Sequence, residues 1–258
     1  MKNIAAPAYT RTTSVELAAA LSVIGVQVKP DLSEDRVSGK RWESLLISLD
    51  TLPDPQGEQL PSHQTKLVMS MVQTGQLQDA DPHHPVLDAL RACKAADTLI
   101  EWTRKAKPHR QLKVKGAQRW LLAEGQLPPS ISTLPGLLGT RDIKLAASLM
   151  VLGFQLLRLQ GSAPEVLFVF GQALFLPSEC PQVLRTAYRN GSLAVSTPEH
   201  PLLWMMQALS NREAIRDMLR NRQPLILIRA PNTGRASLVS SNAKGKTMDR
   251  VKRHLQIS

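Results

Sequence analysis

Apolar residues along the first part of this chain recur mostly three and four positions apart, the period of a helix. Leu17, Leu21 and Ile24 form such a series behind Ser14, whose short hydroxyl suits a helix N-cap. "KRWESLLISLDTL" predicts a second helix, and "SHQTKLVMSMVQTG" a third after a loop marked by Pro53, Pro55 and Gly57. Pro85 suits the first turn of a longer helix, where its missing N–H has no partner to lose. Val86, Ala89, Leu90, Cys93, Ala96 and Ile100 then make one apolar stripe, with Cys93 in a packing role. "RDIKLAASLMVLGFQLLRLQ" is apolar on nearly every side and reads as the central helix of a bundle.

The pattern changes at Gly161. "EVLFVFGQALFLP" is β-branched and aromatic around Gly171, so it reads as two short strands or one kinked strand. "CPQVLRTAYRNG" returns to helix and "SLAVS" is a candidate strand. "PEHPLLWMMQALS" and "NREAIRDMLRN" predict two helices, the second capped by Ser210 or Asn211. "PLILIRA" and "RASLVS" flank Pro231-Asn232-Thr233-Gly234, the signature of a hairpin turn. No repeat at a fixed period stands out. The expected fold class is α+β, predominantly α-helical: a helical part over residues 1–160, with a basic loop near 104–119, and a smaller mixed part over 161–258.

Charge narrows the function. The net charge is +11, but Met1 to Asp81 carries 7 Lys+Arg against 10 Asp+Glu, a net of −3, and Pro82 to Ser258 carries 25 against 11, a net of +14. So polarised a chain suits a polyanion, because neutralising phosphates releases counterions and gives affinity independent of sequence. The densest stretch, "RKAKPHRQLKVKGAQRW", offers Arg104, Lys105, Lys107, Arg110, Lys113, Lys115 and Arg119. The hairpin adds Arg229 and Arg235, and the tail adds Lys244, Lys246, Arg250, Lys252 and Arg253. If the tail is helical, Met248, Val251 and Leu255 share one face and Lys246, Arg250 and Arg253 another.

Enzymatic signatures do not form. Gly245-Lys246-Thr247 lacks the first glycine of a P-loop, because Ser240 stands in its place. The six histidines show no metalloprotease spacing, and Cys93 and Cys180 are too few for a four-thiolate zinc site. "DADPHHP" reads as a polar loop before a helix. No catalytic residue, metal ligand set or cofactor is therefore expected. Met1 to Tyr9 has no long apolar run, and the most apolar uncharged stretch, Leu145 to Leu157, is short for a bilayer. A cytoplasmic setting without membrane contact is the expectation.

"LLWMMQALSNREAIRDMLRNRQPLILIRAPNTGRASLV" combines a Ser-Asn-Arg helix, a polar break at Pro224, an aliphatic strand, a glycine turn and another strand. It resembles the C-terminal part of large-subunit proteins in type IV CRISPR effector complexes, over about a quarter of the chain. Members of that family commonly carry a cysteine-rich zinc finger, which this sequence lacks. The resemblance implies a non-catalytic subunit of a guide-RNA ribonucleoprotein, contacting the guide 5′ end or target-adjacent duplex beside other protein subunits. A DNA-binding plasmid or phage accessory protein, and an enzyme whose active site converges only in space, are the alternatives. The acidic N-terminal part and the apolar Trp204, Met205 and Met206 suggest a protein-contacting surface.

Overall fold

The structure, a computed structural model, describes residues 9–31, 44–51, 62–105, 137–161, 165–173, 180–221, 225–229 and 235–240. Among these, β1 (Tyr9–Thr12), α1 (Val15–Val23), β2 (Val26–Pro30) and β3 (Leu45–Thr51) precede α2 (Ser62–Thr74), α3 (Gln76–Ala80) and α4 (Pro85–Lys105). The same order then returns. It runs through β4 (Leu138–Thr140), α5 (Ile143–Val151), β5 (Phe154–Gln160), β6 (Leu167–Ala173), α6 (Pro181–Arg189), α7 (Ser192–Ser196) and α8 (Pro201–Asn221). A hairpin of β7 (Leu225–Arg229) and β8 (Ala236–Ser240) follows. The fold is α+β and mainly helical, with small antiparallel sheets ordered β1-β3-β2, β4-β6-β5 and β7-β8.

The described elements form an internal structural repeat, although the sequence shows none at a fixed period. Thr12 and Thr140 Oγ1 accept from the N–H of Ser14 and Asp142, each at 3.1 Å. Ser14 and Asp142 then cap α1 and α5, accepting from Leu17 N–H at 3.1 Å and Leu145 N–H at 3.2 Å. Each helix stops just before a glycine with left-handed backbone, Gly25 at φ 90° and Gly153 at φ 88°. Gly75 and Gly191, at φ 79° and 81°, each precede a five-residue helix. His84 and His200 accept through Nδ1 from Val86 and Leu202 N–H, at 3.2 and 3.1 Å. Pro85 and Pro201 each open a 21-residue helix. Equivalent positions lie 128 residues apart at Thr12/Thr140, 123 at Ile47/Phe170 and 116 at Gly75/Gly191, because the connections after β2 and β3 and the helix α2 are longer in the first copy. A fixed-period comparison misses a spacing that drifts.

Four sequence expectations are corrected. "KRWESLLISLDTL" contains the strand β3. Leu45, Ile47 and Leu49 are buried and so is Ser48, and a strand covered on both faces shows no alternation to separate it from a helix. The proposed bundle helix ends at Val151, and the chain from Phe154 is β5, paired with β6. "SLAVS" is the helix α7, matching α3 in the first copy. Ser210 and Asn211 lie inside one continuous helix, α8, and do not cap a second one. The described part of "EVLFVFGQALFLP" contains one strand, β6, with Gly171 inside it, and Leu174 to Pro177 lie outside the described residues.

Two compact units divide the chain, residues 1–90 with 207–258, and residues 91–206. The boundary read near residue 161 falls between β5 and β6, paired strands of one sheet, and separates nothing. Each unit holds one copy's β-α-β-β core together with most of the other copy's long helix. In the first unit α1, β2 and β3 bury Leu21, Val26, Leu45 and Ile47; in the second α5, β5 and β6 bury Leu149, Phe154, Phe168 and Phe170. Each such side chain contributes about 1.5–3 kcal/mol on removal from water.

Asn211 joins three elements of the first unit. Its Nδ2 donates to Ser22 Oγ on α1 at 2.8 Å and to the Ala236 carbonyl on β8 at 3.1 Å. Its Oδ1 accepts from Leu238 N–H and from Gln207 Nε2, each at 2.9 Å. That fills both donors and both acceptors of the amide. The equivalent positions in the second unit are Ala95 and Met150, both apolar and also buried. One unit closes this point by hydrogen bonding and the other fills it with apolar side chains.

His84 makes the start of α4 sensitive to pH. Burial lowers its pKa below the ordinary 6.5, against the raising influence of Asp81 and Asp88. A neutral Nδ1 is also what accepts the Val86 N–H. With the folded pKa depressed, the unfolded chain binds the extra proton first, so the stabilisation is whole above pH 6.5 and is lost as pH falls through the folded value. Thermal melts are expected to drop between pH 7.5 and 5.5, and His84→Asn, which retains a capping acceptor, is expected to flatten that drop.

Candidate nucleic-acid interface

The sequence-predicted basic residues meet different fates. Arg104 is exposed on the last turn of α4, and Lys105 closes that helix. Arg229 closes β7, opposite Ala236. Arg235 is 4% exposed, so its guanidinium belongs to the interior of the first unit and is removed from the phosphate-facing set. Lys107, Arg110, Lys113, Lys115 and Arg119, with Lys244, Lys246, Arg250, Lys252 and Arg253, lie outside the described residues, as do the Gly245-Lys246-Thr247 stretch and the turn at 231–234. The apolar protein-contacting surface is also corrected. Trp204, Met205 and Met206 are 7%, 0% and 5% exposed, all three within the core.

A charged groove that the sequence reading passed over lies within the second unit. It is shallow, open and about 670 Å³ in volume, with Leu138 and Gly139 of the edge strand β4 and Leu167 of β6 as its floor. One wall is α6, contributing Gln182, Arg185, Thr186, Arg189 and Asn190. Their spacing of three, four, seven and eight from Gln182 puts all five on one helix face. Pro181 and Leu184 are buried and anchor the helix.

Three of the five side chains are held by local bonds. The Gln182 amide donates to the Leu137 carbonyl, Thr186 Oγ1 donates to the Gln182 carbonyl at 2.8 Å, and Asn190 Oδ1 accepts from Ser192 N–H at 3.0 Å. Arg185 and Arg189 are different: among the described residues neither forms an ion pair, and α6 contains no acidic residue. Burial and the neighbouring Arg189 charge pull the Arg185 guanidinium below its usual range, opposed by Asp142. It stays protonated at neutral pH all the same. Two like charges one helical turn apart, over an apolar floor, gain from an anion placed between them.

No described group of three or more His, Cys, Asp or Glu side chains is placed to hold a metal. Asp81 and His83 lie in the turn before α4, where Asp81 Oδ1 accepts from His83 N–H at 3.2 Å, and His84 caps the helix. No described helix is long and apolar enough to cross a membrane. No family model, curated protein or solved structure matches the chain.

Proposed function

We propose that this protein binds nucleic acid through backbone phosphates and is not an enzyme. The observation that carries the reading is the Arg185–Arg189 pair, two arginines in no described ion pair on one wall of an open groove. It lies in the stretch Pro82 to Ser258, whose net charge is +14. Arginine is suited to the role because its planar donors match phosphate oxygens and its charge survives partial burial. The exposed Arg104 leads from α4 into the basic segment that the sequence singles out, which would extend the phosphate-binding surface.

The charge of that segment is tested by reversing Lys105, Lys107, Arg110, Lys113 and Lys115 together. Affinity is expected to fall evenly across unrelated sequences, and the log–log salt slope to flatten by about 0.7–0.9 per lost contact. Unchanged affinity and slope in a folded variant would exclude the segment. The narrower reading, a subunit of a guide-RNA ribonucleoprotein, calls for isolation from native cells with and without ribonuclease. Small RNAs of uniform length with repeated partner subunits would support it, whereas duplex DNA alone would favour a DNA-binding accessory protein.

A further inference from the structure

The two copies can be compared position by position at the groove. The strand pairing makes Arg11 of β1 equivalent to Gly139 of β4, Asp31 to Gln160, and Ser44 to Leu167. In the first copy these residues form a charge-matched cluster. Arg11 Nε lies 3.1 Å from Asp31 Oδ2, and Arg11 donates to Ser44 Oγ at 2.9 Å. In the second copy the arginine and its carboxylate are both gone, and a Cβ at Gly139 would already lie 3.3 Å from Leu167.

The helices diverge the opposite way. Arg185 and Arg189 of α6 are equivalent to Met69 and Gln73 of α2, and Met69 is buried at 5% exposure. One copy thus keeps its cation on the sheet edge beside a buried acid. The other clears the edge and places two cations on the facing helix.

We propose that the two repeats have divided their roles: the β4–α6 groove of the second repeat grips adjacent phosphates of a nucleic-acid strand, and the equivalent place in the first repeat, neutralised by Asp31, does not. This rests on the nucleic-acid reading above and adds where the strand is held. The absence of a side chain at Gly139 and the Leu167 side chain beside it decide access, and Arg185 and Arg189 supply the binding charge.

The first copy supplies the residues for the test. Arg185→Met with Arg189→Gln installs the residues that the first copy carries at these positions. With a fluorescently labelled single-stranded 20-mer, anisotropy is expected to show roughly ten- to hundred-fold weaker binding, because two charged hydrogen-bonding groups are removed. The salt slope is expected to fall by about 1.4–1.8 for two lost contacts. Should the double variant fail to fold, Arg189→Gln at an exposed position is expected to produce about half of that slope change. Lys66→Gln, at the equivalent face of the first copy, is expected to stay within about two-fold of the parent. A parent that binds while the double variant, or Arg189→Gln in its place, binds equally well overturns the division of roles and leaves the basic segments as the site. A loss at Lys66 as large as that at Arg185 and Arg189 overturns it too. A parent that binds no oligonucleotide overturns both this proposal and the reading beneath it.

Discussion

Asn211→Ala is expected to destabilise the protein by about 3 kcal/mol, measured as a lower urea midpoint with an unchanged slope. The amide meets four partners in a place without solvent access, and truncation strands several of them at once. The Leu238 N–H suffers most, since it lies in β8 and loses the oxygen it donates to. Ser22 Oγ still donates to the Ala19 carbonyl at 2.8 Å, so the damage concentrates on α8 and the hairpin. A loss under about 1 kcal/mol would mean that water takes over these bonds.

Phe170→Ala is expected to cost about 3–5 kcal/mol, the usual range for emptying a phenylalanine site in a core. Phe170 has no solvent exposure and lies on β6, the central strand, where it pairs with Leu138 on one side and Leu156 on the other. Because Leu138 is part of the groove floor, the same change is expected to weaken oligonucleotide binding even below the melting temperature. Ile47→Ala, its counterpart on β3, is expected to destabilise by about 2–5 kcal/mol but to leave binding unchanged. Equal effects of both on binding would contradict the assignment of the groove to the second copy.

Residues with strong local grammar were legible in the sequence. Ser14 as an N-cap, Pro85 at a helix start and the paired strands of the last hairpin are each decided within a few positions, and the structure places all three as expected. The misreadings came where burial on several sides removes periodicity. Leu45 to Leu49 fits a helix by spacing yet is a covered strand, and Trp204, Met205 and Met206 sweep about 200° of a helix that is packed around that whole arc. Gly153 was the missed punctuation: its left-handed backbone turns an apolar run into a helix followed by a strand. For the site, charge density gives no signal at Arg185 and Arg189, which are separated by Thr186, Ala187 and Tyr188. The signal that was present is the lack of any acid on a helix with two arginines one turn apart.

The distribution of each unit along the chain also sets an order of events during synthesis. A ribosome that has made residues 1–90 has made only part of the first unit, and the α8 and hairpin residues that complete it begin at Gln207. At about 5–20 residues per second, that gap lasts roughly 6 to 23 s, during which Ser22 has no Asn211 to bond and Glu16 has no Arg216. The second unit, continuous from Arg91 to Met206, is complete first. The part synthesised first is therefore finished last, and the nascent N-terminal copy is the stage at which a chaperone has most to protect.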